Sequence, residues 1–135
     1  MTAAALLLLL LSGCVTGTVS DGSAGREYKP ITGSIELGQS ILLKTGISVE
    51  LELLDVTSSD QDPALIAKQI IKNPKRLPIQ FSLRFDSDDI RSFNRYIVRM
   101  TTFENDTIIF QSERDQPVLT QGNPDTVTIR STAIN

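Results

Sequence analysis

Histidine and tryptophan are absent from this chain of 135 residues, and cysteine occurs once, at Cys14. Without histidine no Ser-His-Asp or Cys-His arrangement can be built and no imidazole can hold zinc. A lone cysteine permits no internal disulfide. Aromatic residues make up only 5% of the chain, too few for a sugar-stacking platform. Thirteen basic side chains against sixteen acidic ones give a net charge of −3, which lacks the basic footprint that nucleic acid requires. The longest apolar run, Ala3 to Leu11, is about half the ~20 residues that a transmembrane helix needs. What remains is a small chain with no evident cofactor, metal centre or catalytic constellation, and the expectation is a protein that is not an enzyme.

That apolar run ends in Leu11-Ser12-Gly13-Cys14. A short greasy stretch, two small residues and a cysteine read as a lipoprotein signal peptide, with cleavage before Cys14 and the Cys14 thiol as acceptor of diacylglycerol. Residues 1–13 then lie outside any argument about the fold, and the mature chain starts at Cys14. No Lys or Arg precedes the run, a departure that a start codon further upstream would explain. One acyl chain holds a protein only marginally, whereas two or more, such as palmitate chains on an acylated cysteine, anchor it stably. Residue 15 is Val, not the Asp that commonly retains such proteins at the inner membrane. The expected location is the periplasmic face of the outer membrane, reached with the lipoprotein carrier machinery.

Residues 14–29 are small, polar and glycine-rich and read as a lipidated tether, about 20 Å long on average for some fifteen flexible residues. From residue 30 to 135 the pattern is that of strands. Residues 31–37, 47–53 and 79–85 alternate apolar and polar side chains, and 96–102, 107–111 and 126–133 are rich in β-branched residues. Turn formers punctuate them at Lys44-Thr45-Gly46, Asn73-Pro74-Lys75, Glu104-Asn105-Asp106 and Gln121-Gly122-Asn123-Pro124. Segment 63–72 fits either state: Leu65, Ile66, Gln69 and Ile70 have helical spacing, while the neighbouring pattern favours a strand. Asp86-Ser87-Asp88-Asp89-Ile90 suits one short helical turn with Asp86 as its cap. The expected fold is all-β, an antiparallel β-sandwich of about seven short strands with at most one short helix.

Acidic residues recur at Asp86, Asp88 and Asp89 and again at Asp55, Asp60 and Asp62. The first group lacks the glycine of an EF-hand loop and is better read as a capping turn. The second could support carboxylate hydrolysis of glycosides, although Asp and Ser before a proline ordinarily bond their own backbone. Asn105 reads as a turn residue that tolerates positive φ. Lys72, Lys75 and Arg76 form a modest basic patch, read as a solvated loop rather than a phosphate site.

Taken together, residues 31–131 resemble the YbaY/YscW lipoprotein family, which includes the pilotin lipoproteins of type III secretion systems. The residues carrying the likeness are Ile31-Thr32-Gly33-Ser34-Ile35, Val49 to Thr57 with Asp60 and Pro63, Ile66-Ala67 with Ile70, Pro78 to Asp86, Ile90, Tyr96, and Pro117 to Pro124. Leu42-Leu43-Lys44-Thr45-Gly46 and Asn105-Asp106 depart from the usual family pattern. The short chain after the last strand is more like the type III pilotins than the longer envelope members. The resemblance implies a pilotin: it binds the C-terminal segment of a secretin subunit and uses the lipid on Cys14 to bring it to the outer membrane. The segment would dock as a helix in a groove or as a strand on a sheet edge, with Leu54, Ile97 and Ile109 either exposed apolar contacts for it or a second face covered by the other sheet or by segment 63–72. The alternative is a general YbaY-like envelope lipoprotein with no secretin partner.

Overall fold

The computed structural model describes residues 26–37 and 45–134. They form eight strands: β1 (Tyr28–Glu36), β2 (Ile47–Asp55), β3 (Ala64–Lys72), β4 (Ile79–Asp86), β5 (Tyr96–Glu104), β6 (Thr107–Ser112), β7 (Gln116–Val118) and β8 (Thr126–Ala133). The only helical element among the described residues is a 3-10 turn, Ser87–Asp89. The leader pattern Leu11-Ser12-Gly13-Cys14 lies outside the described residues. Tyr28 and Lys29, at the end of the segment read as tether, already belong to β1.

The all-β expectation holds, but the sheet is mixed and curls into a nearly closed barrel instead of an antiparallel sandwich. Its order is β3-β2-β5-β6-β8-β1-β4, with β7 following β6 along the same edge of β5. The two ends of this path, β3 and β4, touch one another but share no ladder among the described residues. β1 and β8 run parallel from Thr32/Thr126 to Glu36/Arg130, and the other pairs are antiparallel. Period-2 alternation specifies which face of a strand is buried. It carries no information on the partner's direction, and both a sandwich and a barrel bury one face of every strand.

Each inward row follows from that alternation. Ile79, Phe81, Leu83 and Phe85 of β4 are buried while Gln80, Ser82 and Arg84 are exposed. Val49, Leu51 and Leu53 of β2 meet Ile31 and Ile35 of β1, Val98 and Met100 of β5, and Val127 and Ile129 of β8 in one core. Gly33 lies on the inward side of β1, opposite Phe81 on β4 and Val127 on β8. A Cβ there would sit 1.8 Å from the Val127 carbonyl oxygen, so only glycine lets β8 close on β1.

Segment 63–72 is strand β3. The helical spacing is accidental: β3 pairs with β2 through a bulge between Leu53 and Leu54, where Ala67 and Leu65 are the partners and Ile66 is the extra residue. Ile66 and Ala67 both pack on the core, and two consecutive inward residues blur the alternation. The eighth strand, β7, escaped the sequence reading because it is three residues long and contains Pro117. Arg99 and Asp115, paired through two hydrogen bonds of 3.1 Å, fasten the break between β6 and β7 to β5.

The turns form where the sequence placed them. Asn105 (φ 47°) and Asp106 (φ 72°) make the two-residue, doubly positive-φ loop that matches strand twist in a hairpin. Asn73 Oδ1 accepts from Gly46 N–H at 2.9 Å, and Asn105 N–H donates to the Gly46 carbonyl. Gly46 has φ 95°, a conformation that costs glycine nothing.

Candidate functional site

At the end of the barrel where β1 begins, the loop 90–95, the loop after β2 and the loop 119–125 are tied together. Asp55, the last residue of β2, accepts from Thr57 N–H at 2.9 Å and from the Thr57 hydroxyl. Its other oxygen accepts from the Asn94 amide at 2.9 Å. Thr57 Oγ1 accepts from Arg95 N–H, Val56 N–H donates to the Arg95 carbonyl, and the Thr120 hydroxyl donates to the Asn94 carbonyl at 2.6 Å. The buried Tyr96 phenol accepts from Arg91 N–H at 2.9 Å. Arg91 to Asn94 therefore form a pinned β-turn, closed by Asn94 N–H on the Arg91 carbonyl. Phe93 stands out from it with 91% of its surface exposed.

Burial pushes the Asp55 carboxyl upward, but the hydrogen bonds from Thr57 and Asn94 outweigh it and hold the group below its ordinary value of 3.8. A carboxyl depressed in this way stabilises the fold above the unfolded-state value, and the contribution is lost as pH falls through the lower folded-state value. Urea midpoints measured from pH 6 downward are expected to fall more steeply below pH 3.8 in the natural chain than in Asp55→Asn. Parallel curves would remove Asp55 as the acid-sensitive tie. Tyr96→Phe leaves the Arg91 N–H without its acceptor, and is expected to cost about 1–3 kcal/mol in a denaturant titration.

Beside this network lies a cleft of about 840 Å³, floored by Pro30, Phe85, Ile90 and Leu119 and rimmed by Lys29, Thr32, Ser87, Ser92, Thr120, Gln121, Asn123 and Asp125. Its wall is an unusual turn. Thr120 N–H donates to the Val118 carbonyl at 2.8 Å around Leu119, whose φ is 70°. A bulky side chain in a positive-φ γ-turn is strained. Here Leu119 N–H on the Pro124 carbonyl and the Asn123 amide on the Thr120 carbonyl hold it in place. The cleft's strand edge is that of β1 ahead of Thr32, where β8 has not yet begun. Thr32 N–H donates to the Asp125 carbonyl, so by alternation Pro30 is the residue whose missing N–H faces the cleft. Proline is tolerated there because no ladder bond is lost, and the same feature blocks strand addition.

A second surface runs along β3, the following turn and β4. Residues 64–85 contain Lys68, Lys72, Lys75, Arg76 and Arg84 and no acidic residue. Lys68 is engaged by Glu50, which raises its pKa through their hydrogen bond, and Arg84 lies over the Tyr28 ring at 5.5 Å. Lys72, Lys75 and Arg76 are exposed and have no ion-pair partner among the described residues. The basic patch seen in the sequence is therefore one end of a longer stripe.

Asp86 Oδ1 accepts from Asp88 N–H at 2.9 Å, so Asp86, Asp88 and Asp89 form the capping turn. Asp55 bonds its own neighbourhood, while Asp60 and Asp62 are exposed in the loop before β3. Among the described residues no three acidic groups lie close enough to hold a metal ion. Leu54 and Ile97 are covered rather than exposed, the second of the two outcomes their position allowed: they are 5% and 7% accessible. They form the middle of a register row, Leu65–Leu54–Ile97–Pro117, across β3, β2, β5 and β7, whose flanks shield its centre. Ile109 is half-buried. Phe93 went unnoticed, although a single large apolar residue within Arg91-Ser92-Phe93-Asn94-Arg95 was a legible signal. No helix among the described residues is long and apolar enough to cross a membrane.

Comparison with known proteins agrees with this architecture. The chain is 24% identical over 93 residues to the uncharacterized lipoprotein YbaY of Escherichia coli K12, covering 68% of this chain and 49% of that protein; it thus spans about half the length of that relative. An alternative pilotin from the type II secretion system of Vibrio cholerae has the same fold, with a TM-score of 0.76 and 26% identity over 81% of this chain and 99% of the pilotin. Residues 26–130 match the family described as type III secretion system lipoprotein chaperone, YscW. The match takes in all eight strands but for the last residues of β8, and the chain belongs to the YscW family of lipoprotein chaperones.

Proposed function

We propose that this protein is a pilotin of a type III secretion system: a lipid-anchored chaperone that binds the C-terminal segment of a secretin subunit and delivers it to the outer membrane for ring assembly. The observation that carries the reading is the likeness to a pilotin over nearly that protein's whole length, within a family of secretion lipoprotein chaperones. The chemistry is consistent with carriage rather than turnover, since Asp55 and Asp86 are spent on a turn and a cap. Lipid on Cys14 would lend its membrane affinity to the bound subunit by raising its effective concentration at the bilayer.

Deletion of the gene tests this. Heat-resistant secretin multimers in the outer-membrane fraction are expected to fall about tenfold or more and to return with the intact gene. Undiminished multimers would favour the second reading, a YbaY-like envelope lipoprotein without a secretin partner, which the likeness to that protein supports. Loss of a type II secretin alone would move the proposal to the system of the Vibrio cholerae pilotin.

A further inference from the structure

The seam between β3 and β4, which touch one another, leaves main-chain groups on both sides without a ladder among the described residues. Asn73 N–H donates to the Ile47 carbonyl across the β2 side of β3. Peptide groups alternate sides along a strand, so those of Lys68, Ile70 and Lys72 point away from β2, into the seam. Ser87 N–H donates to the Glu27 carbonyl, and by the same alternation Gln80, Ser82 and Arg84 of β4 present their peptide groups to it. Among the described residues no ladder uses either set. The open edge of β1 is blocked by Pro30, whereas β3 contains no proline.

Three further features lie on the same strand or beside it. Leu65 and Ile70 are 53% and 52% exposed, which is unusual for aliphatics on an edge. The surrounding residues 64–85 carry five basic side chains and no acid in a chain that is otherwise acidic. Gln69, which faces the interior opposite Leu51, has a buried Oε1 without a hydrogen-bond partner, so the polar interior beside the seam is incomplete.

We infer that an extended, acidic and apolar segment of the partner adds as a strand to the β3 edge. Its peptide groups pair with those of Lys68, Ile70 and Lys72, its apolar side chains cover Leu65 and Ile70, and its carboxylates meet Lys72, Lys75 and Arg76. Unpaired peptide groups call for a strand, which a lipid surface cannot supply, and the charge selects an acidic one. The proposal rests on the secretin reading above, which supplies the partner.

The test uses the full lipidated chain in nanodiscs of anionic phospholipid, with a synthetic peptide of the cell's secretin C-terminal segment as probe. Amide exchange at Lys68, Ile70 and Lys72 is expected to slow when the peptide is added. Ile70→Pro, which removes an N–H facing the seam together with the exposed Ile70 side chain, and the double charge reversal Lys72→Glu/Lys75→Glu are each expected to weaken binding about tenfold or more. Ile108→Thr, an exposed aliphatic on β6, serves as the unchanged control. Should Ile70→Pro not fold, the charge reversal and the exchange data decide alone. Equal affinity for the natural chain and the β3 variants would overturn the strand-addition site and leave the secretin reading standing. No binding to the natural chain would overturn that reading and the site with it. Protection of β3 by the nanodisc alone would assign the edge to lipid and overturn the proposal.

Discussion

Cys14→Ser is expected to release the protein from the membrane fraction and to cut secretin multimers in the outer membrane about tenfold or more. On the proposed reading Cys14 carries the acyl chains; a hydroxyl would not take them up, and stable anchoring by lipid needs two or more. The folded domain should be untouched, because β1 starts at Tyr28, well beyond the substituted position. A variant that melts like the natural chain, yet leaves secretin subunits stranded outside the outer membrane, would separate anchoring from folding. Full secretin assembly with a soluble Cys14→Ser chain would remove lipid delivery from the account.

The largest effect on stability is expected at Gly33. Its added methyl in Gly33→Ala would meet the Val127 carbonyl oxygen at 1.8 Å and the Phe81 ring at 3.0 Å. The first obstacle is backbone, which cannot rotate aside, so β8 must move off β1 and the parallel ladder opens. Overpacking of this kind costs about 3 kcal/mol, or roughly 10–20 °C in Tm for a domain of this size. Ser34→Ala, one residue along, replaces a side chain on the opposite face of β1 and should melt close to the natural protein. A Gly33→Ala variant with unchanged Tm would show that β1 and β8 do not approach as closely as described.

The parts of this structure that could be read from residues are those where one local rule decides. Val49 to Leu53 and Ile79 to Phe85 alternate cleanly and became β2 and β4 with alternating burial. Asn105-Asp106 and Asp86-Ser87-Asp88 each needed one turn or cap geometry and adopted it. Where two levels compete, the pattern fell short. The bulge at Ile66 turned two neighbours inward and imitated helical spacing. Leu54 and Ile97 alternate out of the core as expected, but alternation does not say what their row-mates Leu65 and Pro117 will cover. The parallel pairing of β1 with β8 depends on where the 119–125 loop returns the chain, which no local signal encodes.

The candidate surfaces divide in the same way. Lys72, Lys75 and Arg76 were visible as charge, yet their continuity with Lys68 and Arg84 needed β3 and β4 to be neighbours. Nothing in Leu119 announces a positive φ; the run Pro117 to Pro124 stood out only through family likeness. The unpaired edge of β3 is a property of the whole sheet order and could not be read from any segment.

Quantitative mass spectrometry of chains retained by the detergent-solubilised, lipidated protein tests the central claim most directly. Purified from outer membranes under native conditions, it is expected to carry the secretin subunit in near-equal amount, and to lose it when the secretin's C-terminal segment is deleted. Recovery of the protein free of secretin, from cells in which the secretin ring is being assembled, would contradict the account.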